Sequence, residues 1–224
     1  MTTKFLAGAA VFGLVPNIAE GAEKFSEEKN IRLEETILNP VEAAKEILPF
    51  EMPRLKNFKP LAELKIGDQN LNFVEKMDQR RFTSAIVVHH AGMTRNEDMT
   101  LRAIHDLHLG NGWAGIGYHF IVHKDGTIDK ARPIERIGAH AYAHNRYTVG
   151  ICMTGNFDIG VPTPAQVFST EMLVAALCYH YDIIPSRQTI FGHRDLCDTA
   201  CPGYNFYPRL PELIRNVEHS LRRA

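Results

Sequence analysis

The stretch "AIVVHH", Ala85 to His90, sets the frame for the rest of the chain. Its β-branched run has no polar alternation, so it suits a strand buried on both faces, as in the interior of a partly parallel sheet. "TVGICMTG", Thr148 to Gly155, repeats that texture, and "QTIFGH", Gln188 to His193, is a strand that delivers a histidine to its end. Between these lie helical patterns. In "NEDMTLRAIHDLHLGNGW", Asn96 to Trp113, Met99, Leu101, Ile104 and Leu107 recur at roughly helical intervals and Gly110 is a stop signal. "YHFIVHKDGTIDKAR", Tyr118 to Arg132, reads as a hairpin turned by the dipeptide Asp125-Gly126. Thr163, Pro164 and Gln166 supply a cap, a first-turn proline and a capping-box partner for a helix to about Tyr181, and the C-terminal residues form an amphipathic helix. Strands and helices interleave, so the expected fold is α/β: a central mixed β-sheet flanked by helices in one domain, preceded by an N-terminal extension.

Around this frame the texture differs. Residues 23–80 are charged and punctuated by Pro40, Pro49, Pro53 and Pro60, which reads as a linker or accessory region with a short helix from Pro40 to about Leu48. The first 22 residues contain one lysine, an apolar run from Phe5 to Val15 and then small residues, in the manner of a signal or signal-anchor segment. An amphipathic or buried segment fits them equally well. The expected division is therefore 1–22, 23–80 and a domain over 81–224. No stable membrane span is expected, since the apolar run is too short.

The 224 residues are 45% hydrophobic and 23% charged with net charge −1, an ordinary globular composition. Nucleic acid is not an expected partner, because such binders usually carry a strong basic excess or stripe. Four cysteines without a CxxC pair are too few for a disulfide scaffold. A G-x-S-x-G elbow, a P-loop and the helical H-E-x-x-H zinc motif are all absent. What remains is a set of borderline and soft ligands near strand ends: His89, His193 and Cys201. Imidazole and thiolate together suit zinc. The residues alone leave two arrangements open, a catalytic site with three protein ligands or a structural site closed by Cys197 as a fourth.

Four ordered segments sharpen this: "IVVHHAG", "GWAGIGYHFIVHKDGTI", "RPIERIGAHAYAHNRYTVGI" and "GHRDLCDTACPG". Together they resemble the type-2 N-acetylmuramoyl-L-alanine amidases, the zinc amidase family that includes peptidoglycan recognition proteins. The resemblance implies a hydrolase of the amide between N-acetylmuramic acid and the L-alanine of the stem peptide. It implies one zinc ion per chain on His89, His193 and Cys201, with Tyr118 and Thr199 as catalytic hydroxyls. His140, Asn145 and His90 become candidates for binding substrate, although strand alternation turns His90 away from His89. Cys197 matches no ligand position and is expected to pack. Some branches carry a glutamate where this chain has Cys152, which shifts the proton-relay role toward Tyr118. The implied partner is peptidoglycan or a muropeptide, met by a monomer at the cell envelope or outside the cell, or by a phage-type endolysin made in the cytoplasm and released at lysis. The alternative function is a non-catalytic peptidoglycan receptor, but such relatives typically lose the cysteine ligand that this chain keeps.

Other residues have ordinary roles by default. His105 and His108, one helical turn apart, are read as structural; His119 and His123 as sheet packing or rim; Cys178 as core. Trp113 is read as a packing anchor, and Arg194 and Asp195 as partners of His193 or of each other.

Overall fold

A computed structural model describes residues 58–222. The expected leader segment at 1–22 and the short helix at 40–48 lie outside the described residues. The described strands are β1 (Ile66–Asp68), β2 (Ala85–His90), β3 (Phe120–Val122), β4 (Ile128–Lys130), β5 (Thr148–Met153) and β6 (Ile190–Gly192), and the α-helices are α1 (Leu101–Gly110), α2 (Pro164–His180) and α3 (Leu210–Leu221). The strands form one mixed sheet in the order β1-β4-β3-β5-β2-β6. Every neighbouring pair is parallel except the β3–β4 hairpin. All six residues of β2 and all six of β5 are buried, as their unbroken apolar runs require.

Each face of the sheet carries its own core. Ile86, Val88 and Ile151 pack with Leu173 and Leu177 of α2 and Leu213 of α3. On the opposite face Ile121 and Cys152 meet Leu101 and Ile104 of α1. The cap of α1 is Thr100, whose side chain accepts from Ala103 N–H at 3.2 Å. Thr163 caps α2 in the same way, accepting from Gln166 N–H at 3.1 Å. The Gln166 side chain, however, does not complete a capping box. It donates to the carbonyls of Val122 and Thr154, each at 2.9 Å, and ties the ends of β3 and β5 to the helix.

Two further expectations shift. The hairpin turn is one residue wider than the Asp-Gly pair: His123 N–H bonds Thr127 O at 2.9 Å across Lys124, Asp125 and Gly126. Gly126 takes φ +87°, the left-handed position that a three-residue hairpin loop assigns to glycine. The sheet also begins before the change of texture near residue 81. β1 pairs with β4 in register Ile66 to Ile128, and Arg80 is buried with its guanidinium donating to Thr148 O at 2.9 Å and to Ile134 O. An arginine brings five donors, so one side chain can satisfy several loop carbonyls at once.

Between α2 and α3 lies a buried carboxyl, Glu171. Its Oε1 accepts from Asn216 Nδ2 at 2.9 Å, and its Oε2 has no hydrogen-bond partner. Burial pushes the carboxyl up to about 8. A carboxyl whose folded-state pKa is raised costs stability as pH climbs from about 4.5, its unfolded value, toward 8. Glu171→Gln removes that ionisation. The variant is expected to gain about 1–3 kcal/mol over the wild type at pH 8, and less at pH 5, in urea unfolding followed at both pH values.

Candidate active site

Two adjacent parallel strands create the site. β2 and β6 pair with Val88 opposite Gly192, so the next residues along, His89 and His193, emerge side by side where the strands end. Their rings lie 4.4 Å apart between centroids. His193 opens a 3-10 turn, His193–Asp195, after which the chain loops back to Cys201. Arg194 N–H bonds Cys201 O at 2.8 Å, and Cys201 N–H bonds Thr199 Oγ1 at 3.2 Å. This brings Cys201 Sγ to 3.6 Å from His89 Nδ1 and 3.3 Å from His90 N–H, which donates to it.

The ligand atoms of His89, His193 and Cys201 all lie within 4.8 Å of one another, the one such group among the described residues. Zinc bonds of about 2.05 Å to nitrogen and 2.3 Å to sulfur, at tetrahedral angles, set such donors about 3.5 Å apart. The His89–Cys201 separation fits that span. Burial, then the neighbouring His140 and His193, holds His89 well below the usual imidazole range, and burial lowers His193 too. Both therefore offer lone pairs at neutral pH. Burial pushes the Cys201 thiol up to about 12, so a thiolate there requires a cation beside it. Cys197 is outside the group; its sulfur points at Tyr142 O, 3.8 Å away.

Tyr118 stands against His89, its ring 5.0 Å from the imidazole. The approach to it is held by two histidines of α1. His105 Nδ1 accepts from Ile116 N–H at 3.2 Å and His108 Nδ1 from Gly117 N–H at 3.0 Å. Gly117 is needed there, because a Cβ would lie 2.0 Å from Ala139 O. Burial, then the Cys152 and Cys201 thiols, pushes the Tyr118 phenol well above its usual range, so it is a proton donor at neutral pH. Cys152 is fully buried and its thiol is likewise raised by burial, so it is no substitute base for the glutamate of other branches.

The remaining candidates separate. His140 is buried and reaches the site, its Nδ1 3.1 Å from His89 Nε2. Asn145 spends Oδ1 on the backbone N–H groups of His140 and Ala141, at 2.8 and 3.0 Å. His90 faces the other side of β2 and accepts from Phe157 N–H at 2.9 Å, so it is not brought together with His89. Arg194 and Asp195 do not pair with each other. The Arg194 guanidinium sits over the rings of Tyr204 and Tyr207, at 4.7 and 4.8 Å, while Asp195 accepts from Gly192 N–H and Arg187. They fix the loop around His193 and Cys201.

The family model described as N-acetylmuramoyl-L-alanine amidase matches residues 79–204, more than half of the chain. The chain belongs to that family. As an N-acetylmuramoyl-L-alanine amidase it is a peptidoglycan hydrolase. The amidase is 33% identical over 132 residues to an endolysin of Klebsiella phage KP32, covering 57% of this chain and 85% of that one. It is 31% identical over 138 residues to peptidoglycan-recognition protein SC2 of Drosophila melanogaster, covering 59% and 74%. Among solved structures it resembles the N-acetylmuramoyl-L-alanine amidase LysC from Clostridium intestinale, with TM-score 0.62 and 33% identity over 68% of this chain and 98% of that one. The expected α/β fold of the amidase, with its mixed sheet and flanking helices, is thereby borne out.

Proposed function

We propose that this amidase uses one zinc ion, held by His89, His193 and Cys201, to cleave the amide between N-acetylmuramic acid and L-alanine. The observation that carries the reading is the 3.6 Å separation of His89 Nδ1 and Cys201 Sγ beside the His193 ring. A zinc ion on these three residues would supply a water whose pKa is lowered to about 7, and with it a nucleophile at neutral pH. The protein's own groups do the rest. Tyr118, kept protonated by burial, donates its hydroxyl to the carbonyl oxygen as negative charge develops. Thr199 accepts from Cys201 N–H, which leaves its own proton free to donate in the same region.

The substrate is proposed to be peptidoglycan or a muropeptide, acted on by a monomer in the cell envelope after export or release at lysis. Similarity to phage endolysins supports that setting, and a related Drosophila protein, PGRP-LB, has been solved with tracheal cytotoxin. No helix among the described residues is long and apolar enough to cross a membrane. The division of the chain into a leader at 1–22, an accessory region at 23–80 and a catalytic domain from 81 is proposed as well, with β1 contributed to the sheet from upstream.

Chelation tests the metal requirement. Dialysis of the full chain against a strong chelator is expected to remove one zinc per chain and abolish muropeptide cleavage, and one equivalent of zinc is expected to restore it. Undiminished cleavage by chain shown to be metal-free would refute the zinc reading.

A further inference from the structure

We infer that His140 and Thr148 are positioning residues that determine which nitrogen of His89 is left bare for the metal. The inference rests on the zinc reading of the site, but its core is a hydrogen-bond chain that exists without metal. Thr148 Oγ1 donates its single proton to His144 O at 2.8 Å. Toward His140 Nε2, 3.5 Å away, the same oxygen then has only lone pairs to offer. His140 Nε2 therefore carries the proton, and because a neutral imidazole has only one, His140 Nδ1 is bare. That bare nitrogen lies 3.1 Å from His89 Nε2, which must donate to it. His89 in turn has its proton on Nε2 and its lone pair on Nδ1, the atom 3.6 Å from Cys201 Sγ.

The opposite chain of donors would require Thr148 to give up its 2.8 Å bond for the 3.5 Å one. Water is a poor replacement partner, since His89 and Thr148 are 0% exposed and His140 is 7% exposed. The slot for the His140 ring is also built. A Cβ at Gly150 would lie 2.5 Å from His140 Cγ and Cδ2, and one at Gly138 would lie 2.5 Å from Cδ2. Both positions leave room for this ring only as glycine. Asn145 clamps the backbone of His140 from the other side. Metal-bound histidines almost always pass their second N–H to a carboxylate, carbonyl or water. Here the acceptor is a second imidazole, whose orientation is set by a threonine and ultimately by a backbone carbonyl.

His140 is thus a support for a ligand rather than a surface for substrate, and Thr148, which nothing in the sequence singles out, belongs to the same device. The test is long-range 15N–1H NMR of the full chain labelled at histidine, with and without zinc, in wild type, Thr148→Val and Thr148→Ser. The wild type is expected to show His140 and His89 as Nε2–H tautomers before zinc is added. Thr148→Val, with no hydroxyl, is expected to show mixed His140 tautomers and about 10-fold weaker zinc binding by competition with a chromophoric chelator. Thr148→Ser restores both. An Nδ1–H tautomer of His140 in the wild type overturns the inference, as does a folded Thr148→Val with wild-type spectra and affinity. A wild type that shows the Nε2–H tautomers yet binds no zinc supports the chain of donors and refutes the zinc reading instead.

Discussion

Cys201→Ser is expected to lose zinc and amide cleavage together, with activity down by at least about 10³-fold, while Cys197→Ser keeps both. The asymmetry follows from geometry. Cys201 Sγ faces His89 Nδ1 and takes a hydrogen bond from His90 N–H, whereas Cys197 Sγ is turned toward Tyr142 O. A serine hydroxyl at 201 has a shorter bond to oxygen than the thiol has to sulfur and ionises far less readily, so it is a poor ligand for a borderline-soft ion. Two imidazoles then remain, too few to fix the ion. Elemental analysis of both purified variants, paired with muropeptide digestion, reads out the prediction. Equal zinc loss from both variants would instead indicate a closed four-ligand site.

Tyr118→Phe is expected to lower kcat about 10²–10³-fold with zinc content unchanged and KM nearly so, the effect of removing one donor to a developing oxyanion. The ring still packs on His89, and His105 and His108 still hold the segment that carries it, so the fold is not at stake. Losing only the hydroxyl separates donation from packing. Steady-state kinetics on a defined muropeptide, with metal analysis of the same sample, checks it. A kcat within threefold of wild type would remove Tyr118 from the chemistry.

The core strands were legible because β2 and β5 are buried on both faces and their composition says so. The candidate metal site was legible in part: strand ends carrying His89 and His193 could be read from pattern, the pattern left Cys197 and Cys201 open, and the family resemblance pointed to Cys201. In the structure the hydrogen bonds of the loop, Arg194 to Cys201 and Cys201 to Thr199, turn the Cys201 sulfur toward His89. β1 was hidden because three residues, "IGD", carry no period, and its stability comes from pairing with a strand some sixty positions away. Arg80 was hidden for a related reason, since nothing in the pair Arg80-Arg81 says that the first is buried among loop carbonyls while the second is exposed. His140 shows the limit of motif reading. Its position marks it as part of the site, yet its contact with His89 lies across 51 residues of sequence, and its role depends on where Thr148 sends its one hydroxyl proton.

The most direct test of the central claim is end-group analysis of peptidoglycan sacculi digested by the zinc-loaded full chain. New amino termini that are L-alanine, stem peptides released without sugar, and no increase in reducing ends are expected. New reducing ends, or new amino termini other than L-alanine, would contradict the claim.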